Sequence, residues 1–280
     1  MHPQAHLGAL AIAGAAAVWG LWGLVVRQAG IGGPLAACIV MFAMATFTAP
    51  LLPRRIPRGW AMWTPLLATA VTDAGNALLY FDALARGPVP IAVLSHYLAP
   101  VLVAVFAPWL VGQAPGRAVW LALAASVAGL LLLLGGDVWQ LDSAVAATAA
   151  LGAGSAVFYA LQTLFQKRAG DLLTAAELLV WHAWLSGLLL LPFALQQPAP
   201  AWQGVAWLCG GAFVGGTLGG TVFLWGLRRV PATTAGVLTY VEPLVGVAAG
   251  VLVLGETLPA WAPLGAVLIL GAGVWVTRAR

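Results

Sequence analysis

Strongly polar side chains are rare in this chain, and several stand in the middle of long apolar stretches. Asp73 and Asn76 are three residues apart and would share one face of a helix, and Glu242 interrupts a later apolar run. An ionised side chain at the centre of a bilayer costs at least about 2.5 kcal/mol, so it usually faces the protein interior and marks a pathway. Such a carboxylate could bind an amine or carry a proton; the alternative is a protonated acid that only joins two helices.

Histidine and aromatic residues inside the apolar runs form a second group. The histidines titrate near neutrality when unperturbed, so they could couple to protons or simply hydrogen-bond within the core. All four tyrosines avoid the interfaces where tyrosine is usually enriched. They could line a cavity for flat aromatic molecules, or they could be ordinary packing residues. The candidate cavity residues are Trp19, Trp22, Asp73, Asn76, Tyr80, Ser95, His96, Tyr97, Phe158, Tyr159, Gln162, Trp181, His182, Tyr240 and Glu242.

Two prolines stand within apolar runs at related positions, Pro100 and Pro243. A proline inside a helix removes one hydrogen bond and would free the carbonyls of His96 and Thr239. Broken helices at membrane depth are tolerated only where they face protein or a wet cavity. The pair therefore predicts a hinge or gate; the alternative is a packing kink.

The elements that must position these residues are membrane helices. Of the 280 residues, 62% are hydrophobic and only 7% are charged, whereas soluble domains carry about 25% charged residues. Runs of about twenty apolar residues are long enough to cross a bilayer as helices. An all-α protein of ten transmembrane helices is predicted, near residues 5–27, 34–53, 60–85, 89–111, 116–135, 143–167, 173–195, 201–227, 231–254 and 259–277.

The distribution of cations predicts the orientation of these helices. With both termini in the cytoplasm, the outer loops receive only Arg27 and Arg86, which matches the positive-inside rule. The inner loops and tail receive Arg54, Arg55, Arg58, Arg117, Lys167, Arg168, Arg228, Arg229, Arg278 and Arg280.

An internal repeat appears when the chain is shifted by 143 residues. The shift aligns Leu84, Arg86, Pro88, Ala92, Tyr97, Pro100 and Gly112 with Leu227, Arg229, Pro231, Ala235, Tyr240, Pro243 and Gly255. We expect a first five-helix unit at 1–136, a connector at 137–142 and a second unit at 143–280. Since five is odd, the second unit would enter the membrane upside down, as in the inverted repeats of secondary transporters with alternating access.

Other classes of function lack support in the sequence. The dispersed cations argue against nucleic-acid binding, and the isolated Cys38 and Cys209 have no metal or redox spacing. No P-loop, H-E-x-x-H or G-x-S-x-G motif occurs. We therefore expect no catalytic residues, no metal and no cofactor. One chain would hold a complete cavity, so oligomerisation is not required.

The repeated residues resemble the drug/metabolite transporter superfamily, in its ten-helix branch with two EamA repeats. The likeness rests on the ends of the third and eighth helices at Ala83-Leu84 and Gly226-Leu227, on Pro100 and Glu242-Pro243, and on Gly255-Glu256 with Pro259. The first unit departs from the pattern at Ala99 and Gln113, where the second has Glu242 and Glu256.

Within the superfamily the chain is most similar to bacterial exporters of aromatic amino acids. This implies an aromatic amino acid as substrate and the bacterial inner membrane as location. Other relatives carry sugar phosphates, nucleotide sugars, purines or cationic drugs. A passive channel for small metabolites is an alternative, motivated by the scarcity of intramembrane charge. A membrane enzyme using Asp73, Asp82 or Glu242 is another, without a motif to support it.

Overall fold

The fold is a bundle of long apolar helices. The computed structural model describes residues 3–52, 59–86, 89–134, 143–255 and 258–279, and every regular element in these ranges is helical. The predicted connector and Glu256 lie outside the described residues. The helices are α1 (Pro3–Gly20), α2 (Trp22–Ala29), α3 (Gly33–Thr48), α4 (Trp60–Arg86), α5 (Val89–His96), α6 (Ala99–Val111), α7 (Arg117–Leu134), α8 (Ser143–Ala169), α9 (Ala175–Ala194), α10 (Trp202–Gly211), α11 (Gly220–Leu227), α12 (Ala232–Thr239), α13 (Val241–Leu254) and α14 (Ala262–Arg278).

Eight helical stretches in the described ranges are long and apolar enough to cross a membrane. They are Gln4–Ala29, Gly33–Leu51, Val89–Val111, Arg117–Leu134, Ser143–Ala169, Ala175–Ala194, Trp202–Leu227 and Ala232–Val253. The helix α14 is a shorter apolar helix. The helix α4 has 27 residues but is less apolar, because it carries Asp73, Asn76, Asp82 and Arg86. The all-helical membrane fold is thus confirmed, and the count of ten spans stays a prediction.

Several of the membrane stretches consist of two helices in series. A break separates α5 from α6 at Tyr97-Leu98, and another separates α12 from α13 at Tyr240. Both lie two to three residues before a proline, at Pro100 and Pro243. A wide π-helical segment, Ala212–Gly219, joins α10 to α11, and its glycines let side chains from other helices approach closely.

The ends of α6 and α13 repeat one local structure. Each helix ends at a left-handed glycine, Gly112 with φ 65° and Gly255 with φ 70°. A residue with a β-carbon would be strained in this conformation, so glycine is required at both ends. These two residues were aligned by the internal repeat, which therefore extends to backbone conformation.

Two helix pairs join the halves of the chain, and both run antiparallel. Between α3 and α9, the Cys38 thiol donates to the Gly187 carbonyl at 3.6 Å, and the Phe42 and Trp184 rings lie 5.1 Å apart. Residue numbers increase along α3 in the direction in which they decrease along α9, so these two helices are antiparallel. Between α7 and α14, Gly129 lies against Gly265.

The remaining packing also relates the halves. The helix α4 packs on α8, and in the other half α11 packs on α1. Likewise α5 and α6 pack on α8, while α12 and α13 pack on α1. The same helix of each half thus makes the same kind of contact, as a two-fold relation between the halves requires.

The surface of the bundle is apolar and its interior holds polar groups. Trp109 is 75% exposed, Leu195 76% and Leu252 84%, whereas the Asp73 and His182 residues are 5% and 2% exposed. A soluble protein would reverse this arrangement. The bilayer is therefore the solvent of the outer surface.

Close glycine packing between α7 and α14 predicts sensitivity to a single methyl group. A β-carbon at Gly129 would lie 2.7 Å from the Gly265 carbonyl oxygen and 2.9 Å from Ile269 Cγ1. We expect Gly129→Ala to destabilise the protein by about 1 to 3 kcal/mol, the usual cost of overpacking. The measurement is the unfolding midpoint in detergent.

The control is Gly271→Ala, because a β-carbon on this α14 glycine would meet nothing within 4 Å. Its midpoint should stay at or slightly above the wild-type value. Equal midpoints for both variants would contradict close packing of α7 on α14.

Candidate substrate cavity

A buried polar cluster joins α4, α8 and α9. The Gln162 Nε2 atom donates to Asp73 Oδ1 at 2.8 Å, and His182 Nε2 lies 3.8 Å from Asp73 Oδ2. The side chains of His182 and Asp73 are 3% and 7% exposed. We call Asp73, Gln162 and His182 the polar cluster. It brings together three of the predicted site residues from distant parts of the chain.

Several buried polar atoms near this cluster have no hydrogen-bonding partner among the described residues. They are Asp73 Oδ2, Asn76 Oδ1, Gln162 Oε1 and Trp181 Nε1. Buried polar groups are usually satisfied, and three of these four atoms are acceptors. These three acceptor atoms could therefore accept hydrogen bonds from a bound molecule or interact with its positive charge.

A second cluster consists of aromatic side chains around His96. The Tyr80 ring stacks on the His96 ring at 4.2 Å, the Tyr159 ring lies 5.2 Å away, and the Tyr97 ring meets His96 edge-on at 5.6 Å. The His96 Nδ1 atom pairs with the Ser155 hydroxyl at 2.8 Å. We call Tyr80, His96, Tyr97 and Tyr159 the aromatic cluster.

Glu242 brings a carboxyl group to the aromatic cluster. It lies in the first turn of α13, immediately after the break at Tyr240, and the N-terminus of a helix favours negative charge. Its carboxyl group faces the Tyr97 hydroxyl and interacts electrostatically with Tyr80 and Tyr159. An acid and four flat rings are thus gathered where two broken helices meet.

The two helix breaks are linked to each other. The Tyr240 hydroxyl donates to the Tyr97 carbonyl at 2.8 Å, which satisfies a carbonyl at the α5–α6 break. Tyr240 is fully buried and packs with Leu123, Val237 and Ile269. It therefore links the two breaks, and its ring lies 5.8 Å from the Tyr97 ring. Its place among the cavity residues stays a prediction. Whether Pro100 and Pro243 act as hinges stays a prediction.

Other candidates lie outside both clusters. Trp19 Nε1 donates to the Gly215 carbonyl at 2.9 Å, and Trp22 lines an apolar groove of about 630 Å³ with Trp202 and Trp207, between α1–α2 and α10. The Ser95 hydroxyl donates to the Ile91 carbonyl of its own helix.

The last two candidates are aromatic residues near α4. The Phe158 ring lies against Gly75. The Trp181 ring packs edge-on against Trp63 with centroids 5.5 Å apart. Both therefore border the polar cluster without a hydrogen bond to it.

Two serines that sequence reasoning missed support the clusters. Ser155 is fully buried and pairs with His96, and Ser186 donates to the Ala70 carbonyl beside Asp73. For Ser155 the sequence holds a usable signal, because Ser155, Tyr159 and Gln162 follow at i, i+4 and i+7 and so share one face of α8. A stripe of small and polar residues on a membrane helix would have identified this face.

Two cationic side chains link the ends of α8 and α11 at one end of the bundle. Lys167, at the end of α8, donates to the carbonyls of Leu227, the last residue of α11, and of Val230, just beyond it, at 2.5 and 2.8 Å. Arg228, at the end of α11, donates to the Gly170 and Leu173 carbonyls beyond α8. Each cation therefore satisfies free carbonyls at the end of the other helix. We call these contacts the crossed tether.

The sequence of both halves of the chain identifies the protein family. Residues 6–135 and 147–278 each match the model of the EamA-like transporter family. The chain belongs to this family. The resemblance read from the repeated residues is confirmed, and so is the presence of two EamA repeats. The protein is thus a multi-pass membrane protein of a transporter family.

Two relatives of this chain are named as amino-acid exporters. The chain is 29% identical over 218 residues to the threonine/homoserine exporter RhtA of Escherichia coli (strain K12), covering 76% of this chain and 71% of that protein. It is 28% identical over 216 residues to RhtA of Salmonella typhimurium (strain SL1344), with 76% and 70% covered. A solved crystal structure has the same fold, with a TM-score of 0.80, 20% identity and coverage of 98% and 99%.

The crossed tether predicts how access to the interior is controlled. Lys167→Met keeps the aliphatic stem but removes the contacts to Leu227 and Val230. We expect a cysteine at the fully buried Ala160 to react with a membrane-impermeant thiol reagent at least about ten-fold faster in this variant. One charged hydrogen bond contributes about 1.5 kcal/mol or more, and 1.4 kcal/mol is a factor of ten. The reagent is applied from the tether side, with Cys38 and Cys209 replaced by alanine.

The matched control is Arg117→Met, which removes an exposed cation at the start of α7, close in sequence to Gln113. Gln113 accepts from the Ala232 backbone N–H beside the tether, which places both at this end of the bundle. Labelling at position 160 should keep its original rate in this control. Equal rates in both variants would show that the tether does not limit access.

Proposed function

We propose that this protein exports amino acids, preferentially aromatic amino acids and related aromatic compounds, across a bacterial inner membrane by alternating access. The observation that carries the proposal is Glu242 at a helix break, facing an aromatic cluster inside an EamA fold. Membership of a transporter family and the likeness to an amino-acid exporter support the general activity. The aromatic cluster supports the choice of side chain. No enzymatic role is proposed.

We further propose ten spans arranged as two inverted five-helix units, with both termini in the cytoplasm. In this arrangement α4 and α14 join the eight stretches that are long and apolar enough. Support comes from the antiparallel packing of α3 on α9, which occupy equivalent places in the two units. Equivalent helices that run antiparallel are what inversion requires.

The helix breaks offer opposite charges to a zwitterion. At the second break Glu242 can pair with an α-ammonium group. At the first break the equivalent residue is Ala99, so the N-terminal peptide groups of α6 carry no acid of their own. A helix N-terminus favours a carboxylate, and broken helices of transporters use it in this way. An amino acid could therefore bind between the two breaks.

The aromatic cluster would hold the substrate side chain. Its rings contact one another in this structure, with Tyr80 and His96 stacked at 4.2 Å. A planar substrate would enter by replacing such ring–ring contacts with similar ones, at small energetic cost. Movement of the half-helices at Pro100 and Pro243 would then expose the site to alternate sides.

Threonine and homoserine are the second candidate substrates. The relatives that match over 76% of this chain export these small polar amino acids. Competition decides between the candidates: phenylalanine and tyrosine should displace labelled substrate more effectively than threonine and homoserine. The reverse order would remove the aromatic preference and leave amino-acid export. Transport of cationic drugs without amino acids, or conduction at channel rates, would refute the proposal.

Removal of the Glu242 charge tests the ammonium site. Glu242→Gln keeps the shape of the side chain but replaces a charged hydrogen bond, worth about 1.5 to 3 kcal/mol. We expect amino-acid affinity to fall about ten- to one-hundred-fold. The measurement is counterflow of labelled phenylalanine and threonine into proteoliposomes.

Asp82→Asn is the matched control, because Asp82 lies near the end of α4 and pairs with the exposed Arg86 on its own helix at 2.6 Å. Counterflow should persist unchanged in this variant. Loss of affinity in both variants, or in neither, would argue against an ammonium site at Glu242.

Inversion of the two units predicts the sidedness of equivalent loops. Single cysteines at Arg86 and Arg229, aligned by the repeat, should react with impermeant reagents from opposite faces of the membrane. Arg86 is exposed at the end of α4, and Arg229 follows α11. Intact cells and inside-out vesicles provide the two faces. Labelling of both positions from the same face would eliminate the inverted arrangement.

A further inference from the structure

The facing atoms of Asp73 and His182 are both hydrogen-bond acceptors. His182 Nδ1 lies 2.6 Å from the Leu178 carbonyl oxygen, and because a carbonyl can only accept, Nδ1 must carry the proton. In a neutral imidazole, Nε2 then presents a lone pair. This lone pair faces Asp73 Oδ2 across 3.8 Å.

The other carboxyl oxygen of Asp73 does not relieve this conflict. Asp73 Oδ1 already accepts from Gln162 Nε2 at 2.8 Å. The Ser186 hydroxyl interacts with the carboxyl group, but it donates its proton to the Ala70 carbonyl at 3.1 Å, and Oδ2 has no hydrogen-bonding partner within bonding distance among the described residues. Without an added proton, a carboxylate and a lone pair would oppose each other inside a membrane helix bundle. One proton on either group turns the contact into an acid–imidazole or carboxylate–imidazolium pair. The geometry thus creates a place for one proton.

We propose that Asp73 and His182 together form the proton-binding site that couples amino-acid export to proton entry. This inference rests on the proposed function and adds its energy source. In each cycle one proton binds to the pair from the outside and leaves to the cytoplasm, and one zwitterionic amino acid moves outward. The proton is bound and released without any change in covalent bonds.

Other titratable side chains approach the pair from the helices that pack against it. From α8, Tyr159 interacts electrostatically with Asp73. From α3 the titratable group is the Cys38 thiol, which donates to the Gly187 carbonyl. From α5 it is His96, whose Nδ1 pairs with Ser155. The helix α11, which also packs on α9, brings no titratable side chain.

The helix α8 connects the proton pair with the aromatic cluster. Gln162 holds Asp73, and Tyr159, three residues earlier on the same face, belongs to the aromatic cluster and interacts with Glu242. A shift of α8 that accompanies substrate binding would therefore change the contacts of Asp73. The pair is almost fully buried here, so it can exchange protons with water only in another conformation. The connection through α8 and the burial of the pair are both required for coupling of proton and substrate movement.

The test separates coupling from transport itself. Purified protein in proteoliposomes is assayed with labelled phenylalanine, and with threonine in parallel, first for exchange at equal pH and then under an opposing pH gradient. In the wild type the gradient should drive accumulation of the amino acid. In Asp73→Asn and in His182→Asn, whose amide can still donate to the Leu178 carbonyl, exchange should persist while the gradient-driven accumulation is lost. Asp82→Asn should retain both.

A proton count tests the site without any substrate. At neutral pH the detergent-solubilised wild type should hold one bound proton more than the Asp73→Asn/His182→Asn double variant, because the carboxyl and imidazole groups of the pair share a single proton there. Gradient-driven accumulation that survives in both single variants would overturn the coupling, and an equal proton count would overturn the site. If the wild type exchanges neither amino acid, the proposed function fails, and the proton count still decides whether the pair binds a proton.

Discussion

The structure depends on one constraint: within hydrocarbon, a polar group must find its partner inside the protein. Water cannot satisfy a freed carbonyl or a buried carboxylate there, and each unsatisfied group costs several kcal/mol. The breaks at Tyr97 and Tyr240 therefore face each other in the interior, and the Tyr240 hydroxyl satisfies the Tyr97 carbonyl. The same constraint brings Gln162 to Asp73 and Ser155 to His96. Polar side chains of these helices are therefore gathered in the interior of the bundle.

The two repeats have the same arrangement of helices but carry different polar residues. At the repeat shift, Glu242 corresponds to Ala99 and Asp73 to Gly216. The contact between α4 and α8 thus holds carboxylate and amide groups, whereas the equivalent contact between the π-helical segment and α1 holds glycines against which Trp19 packs. A symmetric frame suits two-sided access, and an asymmetric interior suits an amino acid, whose two ends carry opposite charges. Divergence of the repeats would let one fold meet both requirements of the proposed function.

The same helix carries the contacts at one end of the bundle and the polar groups at its centre. The crossed tether links the end of α8 to the end of α11, and α8 also carries Tyr159 and Gln162 into the two clusters. Since helices move as rigid units, release of the tether and rearrangement of the clusters are mechanically connected. This arrangement supports exchange of substrate and proton in a common cycle.

The sequence by itself determined the membrane fold, the two repeats and the family, because apolar run length and repeated Pro, Tyr and Gly residues act locally or at fixed spacing. It also singled out Asp73, His182 and Glu242, since polar residues in apolar helices are conspicuous. Only the tertiary structure decided that Asp73 faces His182 while Glu242 joins the aromatic cluster, that Trp22 lines an apolar groove, and that the Tyr240 hydroxyl links the two breaks. The reason is physical: hydropathy fixes which segments cross the membrane, but the rotation of each helix about its axis is set by packing against its neighbours.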